Sequence, residues 1–123
     1  MSTEENKAVV LRYFDERWNK QNFAVVDELC RDDGTNEEHK AWLEKTHAAL
    51  GDIHLTADTM VAEDDQVALL FTLTAVHRGE CDGVPPSGKT VTFQGMALLR
   101  IEDGQIVDDT AFPSLRQALL EQR

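Results

Sequence analysis

Cysteine is scarce in this chain, and the two that occur, Cys30 and Cys81, belong to no Cys-x-x-Cys or Cys-His pattern. A disulfide framework is therefore not expected, and the two read as unpaired thiols in a reducing compartment. No apolar run approaches the ~20 residues needed to cross a bilayer. The first residues, Met1 to Glu5, show no basic stretch followed by an apolar one, so no secretory or transit signal is expected and a cytoplasmic location follows by default. Basic residues are also few, 12 against 23 acidic ones, and the resulting net charge of −11 repels nucleic acid and anionic lipid at long range. Histidine is limited to four residues, and His39 and His47 lie eight apart rather than at a metal-binding i, i+4 spacing, so no metal is expected. Gly-x-Gly-x-x-Gly, phosphate-loop and Gly-x-Ser-x-Gly motifs are all missing, which removes the usual support for a nucleotide cofactor or a serine hydrolase.

What is present is an ordinary globular balance, 41% apolar and 28% charged over 123 residues, enough for one core. Ser2 and Glu5 form a capping-box pattern, and Val10, Phe14 and Trp18 then recur at helical spacing, which predicts a helix over residues 3–19. Asn22 reads as the N-cap of a short second helix whose face carries Phe23, Val26, Leu29 and Cys30. Thr35 with Glu38 repeats the capping box ahead of a third helix with Trp42, Leu43, Thr46, Ala49 and Leu50 on one face, which Gly51 is placed to end.

Beyond Gly51 the period changes from helical to alternating. Val67, Leu69, Phe71, Leu73, Ala75 and His77 alternate with the residues between them, the signature of a long half-buried strand. Ile53, Leu55 and Ala57 alternate before it, but the next apolar positions, Met60 and Ala62, fall one step out, so a β-bulge is expected at Asp58-Thr59. Asp64-Asp65 forms the turn between these strands, and the prolines of residues 79–88 make a loop. Residues 89–101 form a further strand, and Asp103-Gly104 is a two-residue hairpin signal leading to residues 105–112. Pairing Glu102 with Gln105 sets Leu99 opposite Asp108, Ala97 opposite Thr110 and Gly95 opposite Phe112 on one face. Ser114 then caps a short last helix. With no repeat or linker, residues 1–123 read as a single α+β domain: a curved antiparallel sheet with helices on its concave face around a cone-shaped pocket.

The run from Leu73 to Lys89, with His77-Arg78-Gly79 and Gly83-Val84-Pro85-Pro86-Ser87-Gly88, resembles the strand, Gly-Ile-Pro-Pro-Thr-Gly loop and next strand of the SnoaL-like polyketide cyclase family. Val91 to Arg100 with the Asp103-Gly104 turn, and the opening helix Asn6 to Asn19, are similar to that family as well. The resemblance implies a nuclear-transport-factor-two-like cone, a homodimer joined sheet to sheet, and cofactor-free cyclase or isomerase chemistry on a hydrophobic carbonyl compound. Two departures stand out. Between the second and third helices only Arg31 to Asn36 remains, where members usually carry a strand and a pocket-facing Asp or His. The positions of the cyclases' acid/base His and Asp hold Ala97 and Ser114.

Enolising a carbonyl compound requires a proton acceptor and a donor to the developing oxyanion in a dry site. His77 and Asp108 are the remaining catalytic candidates, His77 as base or donor and otherwise a hydrogen-bonded residue at the cavity mouth, Asp108 otherwise a rim carboxylate. Asp109 is expected on the opposite face. Tyr13, Phe14, Trp18, Trp42, Phe71, Phe93, Ala97, Leu99 and Thr110 are the candidate ligand-lining residues, the aromatics serving equally as plain core. A non-catalytic ligand-binding or dimerisation module, or a groove opened for a partner by the shortened segment, are the other readings. The apolar outer face of Ala68, Leu70, Thr72, Val76, Met96 and Leu98 suggests a homodimer or a cover by the last helix.

Overall fold

A computed structural model describes residues 2–122 of the chain. The order of elements is α1 (Thr3–Phe14), a π-helical turn (Asp15–Asn19), α2 (Val25–Leu29), α3 (Asn36–Ala49), β1 (Leu50–Glu63), β2 (Gln66–His77), β3 (Thr90–Glu102), β4 (Gln105–Phe112) and α4 (Leu115–Glu121). The four strands form one antiparallel sheet in the order β1-β2-β3-β4, so that every connection is to a neighbour. Among the described residues no helix is long and apolar enough to cross a membrane.

The first helix begins as its capping box requires: the Glu5 amide donates to Ser2 Oγ and the Ser2 amide donates to Glu5 Oε1. Val10, Tyr13 and Phe14 are buried along one side. The helix does not continue as α-helix to residue 19. Its last turn widens, with the Lys20 amide reaching back five residues to the Asp15 carbonyl at 3.1 Å. That extra width lets the Asn19 side chain bond both the carbonyl and the amide of Leu55, at 3.0 and 2.8 Å, a side-chain substitute for a strand at the sheet edge.

Two helix starts differ from the sequence pattern. Asn22 does not cap α2, because its side-chain amide donates to Glu16 instead, and Ala24 takes the cap position. Thr35 stands at the cap position of α3, but its hydroxyl and its amide both donate to Asp33, so the box with Glu38 is not formed. Gly51 does not end α3 either. The helix passes directly into β1 at Leu50, which pairs with His77. Cys30 leaves the helix and forms a single parallel bridge with Ile106, with the Arg31 amide donating to the Ile106 carbonyl at 3.0 Å.

The sheet carries the expected bulge between Ala57 and Thr59, and another between Gly51 and His54. The turns at Asp64 and at Asp103-Gly104 take the positive φ that tight hairpins need. One register differs, with a large consequence. Ile101 faces Ile106 as expected, but the next pair is Arg100 with Asp108, so Val107 is an extra residue on β4. Beyond it every β4 residue is displaced by one: Leu99 faces Asp109, Leu98 faces Thr110 and Ala97 faces Ala111. The bulge opens one residue beyond Ile106, whose carbonyl Arg31 binds, while on its β2 side β3 continues its register with the Ile101 amide donating to the Asp65 carbonyl.

Ala97 and Leu99 are inward and buried, while Met96 and Leu98 are outward and about half exposed, at 52% and 48%. The last helix caps on Ser114, whose Oγ accepts from the Gln117 amide, and Leu115 and Leu119 pack against the core rather than on the outer face of the sheet. On β3, Gly95 stands opposite Phe71, and a Cβ there would lie 2.6 Å from the tip of the Phe71 ring. A Gly95→Ala substitution is expected to push that ring off its seat and destabilise the protein by about 1–3 kcal/mol, the usual range for overpacking. Denaturant unfolding of the variant checks it.

Candidate functional site

The centre of the site is Arg17, carried by the π-helical turn and only 5% exposed. The sequence placed an arginine on an apolar helix face, four residues after Tyr13 and beside Trp18. Its guanidinium lies over the rings of Tyr13, Phe14 and Trp18, at 4.2, 5.2 and 5.5 Å from their centroids. Nη1 donates to the Tyr13 hydroxyl and, at 3.4 Å, to His39 Nε2 on α3. The Arg17 carbonyl accepts from His47 Nε2 at 2.8 Å, which ties the turn to α3. Nε is buried and has no partner among the described residues.

Across from Arg17 stands Asp109, with Oδ2 3.7 Å from Nη1 and the side chain 27% exposed. At that distance the two attract as charges without a hydrogen bond between them. Burial pushes the Asp109 carboxyl above its ordinary range, with Arg17 opposing the shift. Burial also raises the Tyr13 phenol well above its ordinary value and takes His39 down to about 4, Arg17 adding to the His39 shift. The cluster therefore has one fixed positive charge held by two neutral acceptors, and one carboxylate with proton affinity to spare.

Asp109 and Arg17 border a cavity of about 120 Å³ on the concave side of the sheet. Its walls are aromatic: Phe14, Trp18, Trp42, Phe71 and Phe93. Trp18 meets Trp42 edge to face at 6.0 Å, Phe71 meets Phe93 likewise at 6.4 Å, and the Trp42 indole N–H is held by Asp82 at 2.7 Å. Pro113, Ser114 and Leu115 close the end near α4. On its other side Asp109 borders a polar cleft of about 280 Å³ lined by Tyr13, Cys30, Asp33 and His39. A larger depression of about 470 Å³ lies outside, between α1 and β1, but its charged groups, Arg12 and Asp15, are already paired with Glu16, Glu28 and Lys20.

Five of the lining residues read from sequence, Phe14, Trp18, Trp42, Phe71 and Phe93, meet around this cavity. Tyr13 is turned to the polar cleft and bonds Arg17. Ala97 and Leu99 face inward but are closed into the core below the cavity. The remaining candidates are displaced. Asp108 and Thr110 do not reach the aromatic cavity: Thr110 faces outward opposite Leu98, and Asp108, exposed and 3.8 Å from Arg100, borders only the polar cleft. His77 shares the inward face as its parity requires, but it is 0% exposed and sealed in the core rather than at a mouth, and neither ring nitrogen has a partner among the described residues. Ser114, at the cyclase Asp position, borders the cavity with its hydroxyl engaged as a helix cap. Asp109, expected to point away, is the carboxylate that the bulge turns in. Among the described residues no cluster of three or more His, Cys, Asp or Glu could hold a metal ion.

A curved antiparallel sheet whose concave face and covering helices enclose an aromatic cavity defines an α+β protein of the cone class. More particularly, the chain belongs to the SnoaL-like polyketide cyclase family, whose family model matches residues 8–122. Among solved structures it is similar to AclR of Streptomyces galilaeus, provisionally named a hydroxylase, at 28% identity and a TM-score of 0.80, covering 98% of this chain and 96% of that one. It is similar to a protein of Jannaschia sp. CCS1 named as a SnoaL-like polyketide cyclase, at 25% identity and a TM-score of 0.81, over 95% and 90% of the two chains. TsrD of Streptomyces laurentii shares the fold at 18% identity and a TM-score of 0.81, over 97% of each chain. No curated protein gives a significant match.

The His39 shift fixes a sign for pH dependence. Its folded value, about 4, lies below its ordinary 6.5, so the unfolded chain binds the extra proton and stability is lost as pH falls from 6.5 towards 4. His47 is lowered by burial in the same direction. A His39→Gln variant is expected to show a shallower loss over that window than the parent, measured by urea unfolding at a series of pH values.

Proposed function

We propose that this protein binds a hydrophobic carbonyl compound in the aromatic cavity and enolises it without a cofactor. In this reading the Asp109 carboxylate removes a proton from the carbon next to the carbonyl. The oxygen, as it gains charge, is stabilised by the Arg17 guanidinium. The enolate then attacks a second carbonyl of the same molecule, and the alkoxide so formed takes the proton from the Asp109 carboxylic acid, or the enolate carbon is itself reprotonated by that acid; either way the carboxylate is regenerated and no proton is lost overall. The observation that carries the proposal is the placing of Asp109 beside buried Arg17 at the edge of an aromatic cavity. Burial supports the role of base, because a carboxylate held above its ordinary range is a stronger acceptor near neutral pH. It also stands in for the pair of groups that Ala97 and Ser114 do not supply.

The size of the cavity bounds the substrate. At about 120 Å³ it is near the ~150 Å³ that holds a benzene ring, so one ring sits inside and the rest of a larger molecule projects past β4. The same small volume favours a second reading, a non-catalytic domain that captures an apolar fragment. A panel of aryl ketones and β-keto esters, screened by thermal stabilisation and then by exchange of the α-proton in D2O, separates the two. Enolisation predicts exchange that falls by about 10²–10⁴ in Asp109→Asn and is unchanged in Asp108→Asn. Binding with no exchange above the protein-free rate would leave only capture.

The protein is further proposed to act as a homodimer through the outer face of the sheet. Two cross-strand rows lie side by side there, Leu70-Met96-Phe112 and Val61-Ala68-Leu98, with Phe112 72% and Val61 62% exposed. The last helix leaves this face open, since it packs at the cavity. Apolar rows of this extent favour an interface. A Met96→Glu, Leu98→Glu double variant is expected to sediment as a monomer at concentrations where the parent is a dimer; a monomeric parent at high micromolar concentration refutes the assembly.

A further inference from the structure

The way Arg17 is held carries information about the ligand that the enolisation reading does not use. A buried guanidinium is normally neutralised by a carboxylate in hydrogen-bond contact, because an unpaired charge away from water is costly. Here the hydrogen-bond partners are neutral, the Tyr13 hydroxyl and the His39 ring. The one facing carboxylate, Asp109, stands off at 3.7 Å. Nε is buried with no partner among the described residues. Arg17 thus borders a cavity lined by five aromatic rings without a carboxylate in hydrogen-bond contact with its guanidinium.

We propose that the preferred occupant of this cavity is a planar aromatic anion whose charge is spread over two oxygens, an aryl carboxylate or the ionised form of a 1,3-dicarbonyl. Such a group puts a charged oxygen within reach of the guanidinium donors that Tyr13 and His39 leave free, while its ring packs against the tryptophan and phenylalanine walls. An ionised 1,3-dicarbonyl is also what proton removal by Asp109 would leave, so the inference rests on the enolisation reading for its link to chemistry, though not for its geometry. Asp109 limits the affinity, because its negative charge faces the same space. Burial raises its proton affinity, which lets it take up a proton as an anion enters.

The test uses 2-naphthoate and its neutral, nearly isosteric amide, 2-naphthamide, titrated against the protein and followed by NMR shifts of the tryptophan indole N–H groups. Naphthoate is expected to bind about tenfold more tightly than naphthamide, the scale of a charged over a neutral hydrogen-bonded pair. Asp109→Asn is expected to tighten naphthoate several-fold relative to naphthamide, since a like charge has gone. Arg17→Met is expected to abolish the preference and keep naphthamide binding. Should that variant not fold, the comparison of the two compounds on the parent and on Asp109→Asn decides the matter alone. Naphthamide binding as tightly as naphthoate overturns the anion preference, even where Asp109-dependent α-proton exchange persists and enolisation stands. Naphthoate selectivity without any exchange sustains the anion site and removes the enolisation reading. No binding of either compound overturns both.

Discussion

The charge of Arg17 has to be kept inside the protein, and most of the site follows from how that is done. A guanidinium cannot lose its proton at any relevant pH, so the surroundings must accommodate it. Three aromatic faces, a phenol and a neutral imidazole do so, supplied by α1, the π-helical turn and α3. Burial, with the same charge adding to it, depresses the proton affinity of His39 and so keeps that ring an acceptor. The widened turn is part of this arrangement. It places Arg17 and Trp18 towards the cavity while Asn19 is pinned to the edge strand at Leu55.

The second constraint is the single extra residue in β4. In a strand the side-chain period is two, so one inserted residue exchanges the inward and outward sets beyond it. That exchange brings Asp109 to Arg17 and sends Asp108 to Arg100 at the surface. The short segment after α2 lies beside the extra residue, since the Arg31 amide takes up the Ile106 carbonyl on the edge of β4 away from β3, one residue before the bulge. Between α2 and α3 this chain has one bridge, at Cys30, and the outer half of β4 is left exposed beside the cavity.

Much of the fold was legible because it is written in short-range chemistry. The Ser2-Glu5 box, the helical spacing of Val10, Phe14 and Trp18, the alternation from Val67 to His77 and the Asp103-Gly104 turn each follow from local geometry, and each element stands where those signals put it, except that the turn carrying Trp18 is π-helical. The bulge near Asp58 was legible for the same reason, since its apolar residues change parity within a few positions. The bulge at Val107 has no such mark. Asp108, Asp109, Thr110 and Ala111 give neither parity an apolar advantage, so the hairpin register carried forward unchallenged and assigned the wrong aspartate to the inner face. His77 illustrates a different limit: its parity fixed its face, but depth along the strand decides whether a residue meets a cavity or solid core.

The sequence by itself therefore carried the family resemblance in its motifs, and it determined the order of helices and strands and the five aromatic residues that wall the cavity, because periodicity and capping act between near neighbours. Tertiary structure alone decided that Arg17 is buried, that Asp109 rather than Asp108 faces it, and that Tyr13 and His39 are its partners. These depend on a backbone bond between Arg31 and Ile106, 75 residues apart by number, and on the meeting of a helix turn with a sheet it does not adjoin in sequence. Contacts of that kind leave no period in the chain, so only the folded packing could reveal them.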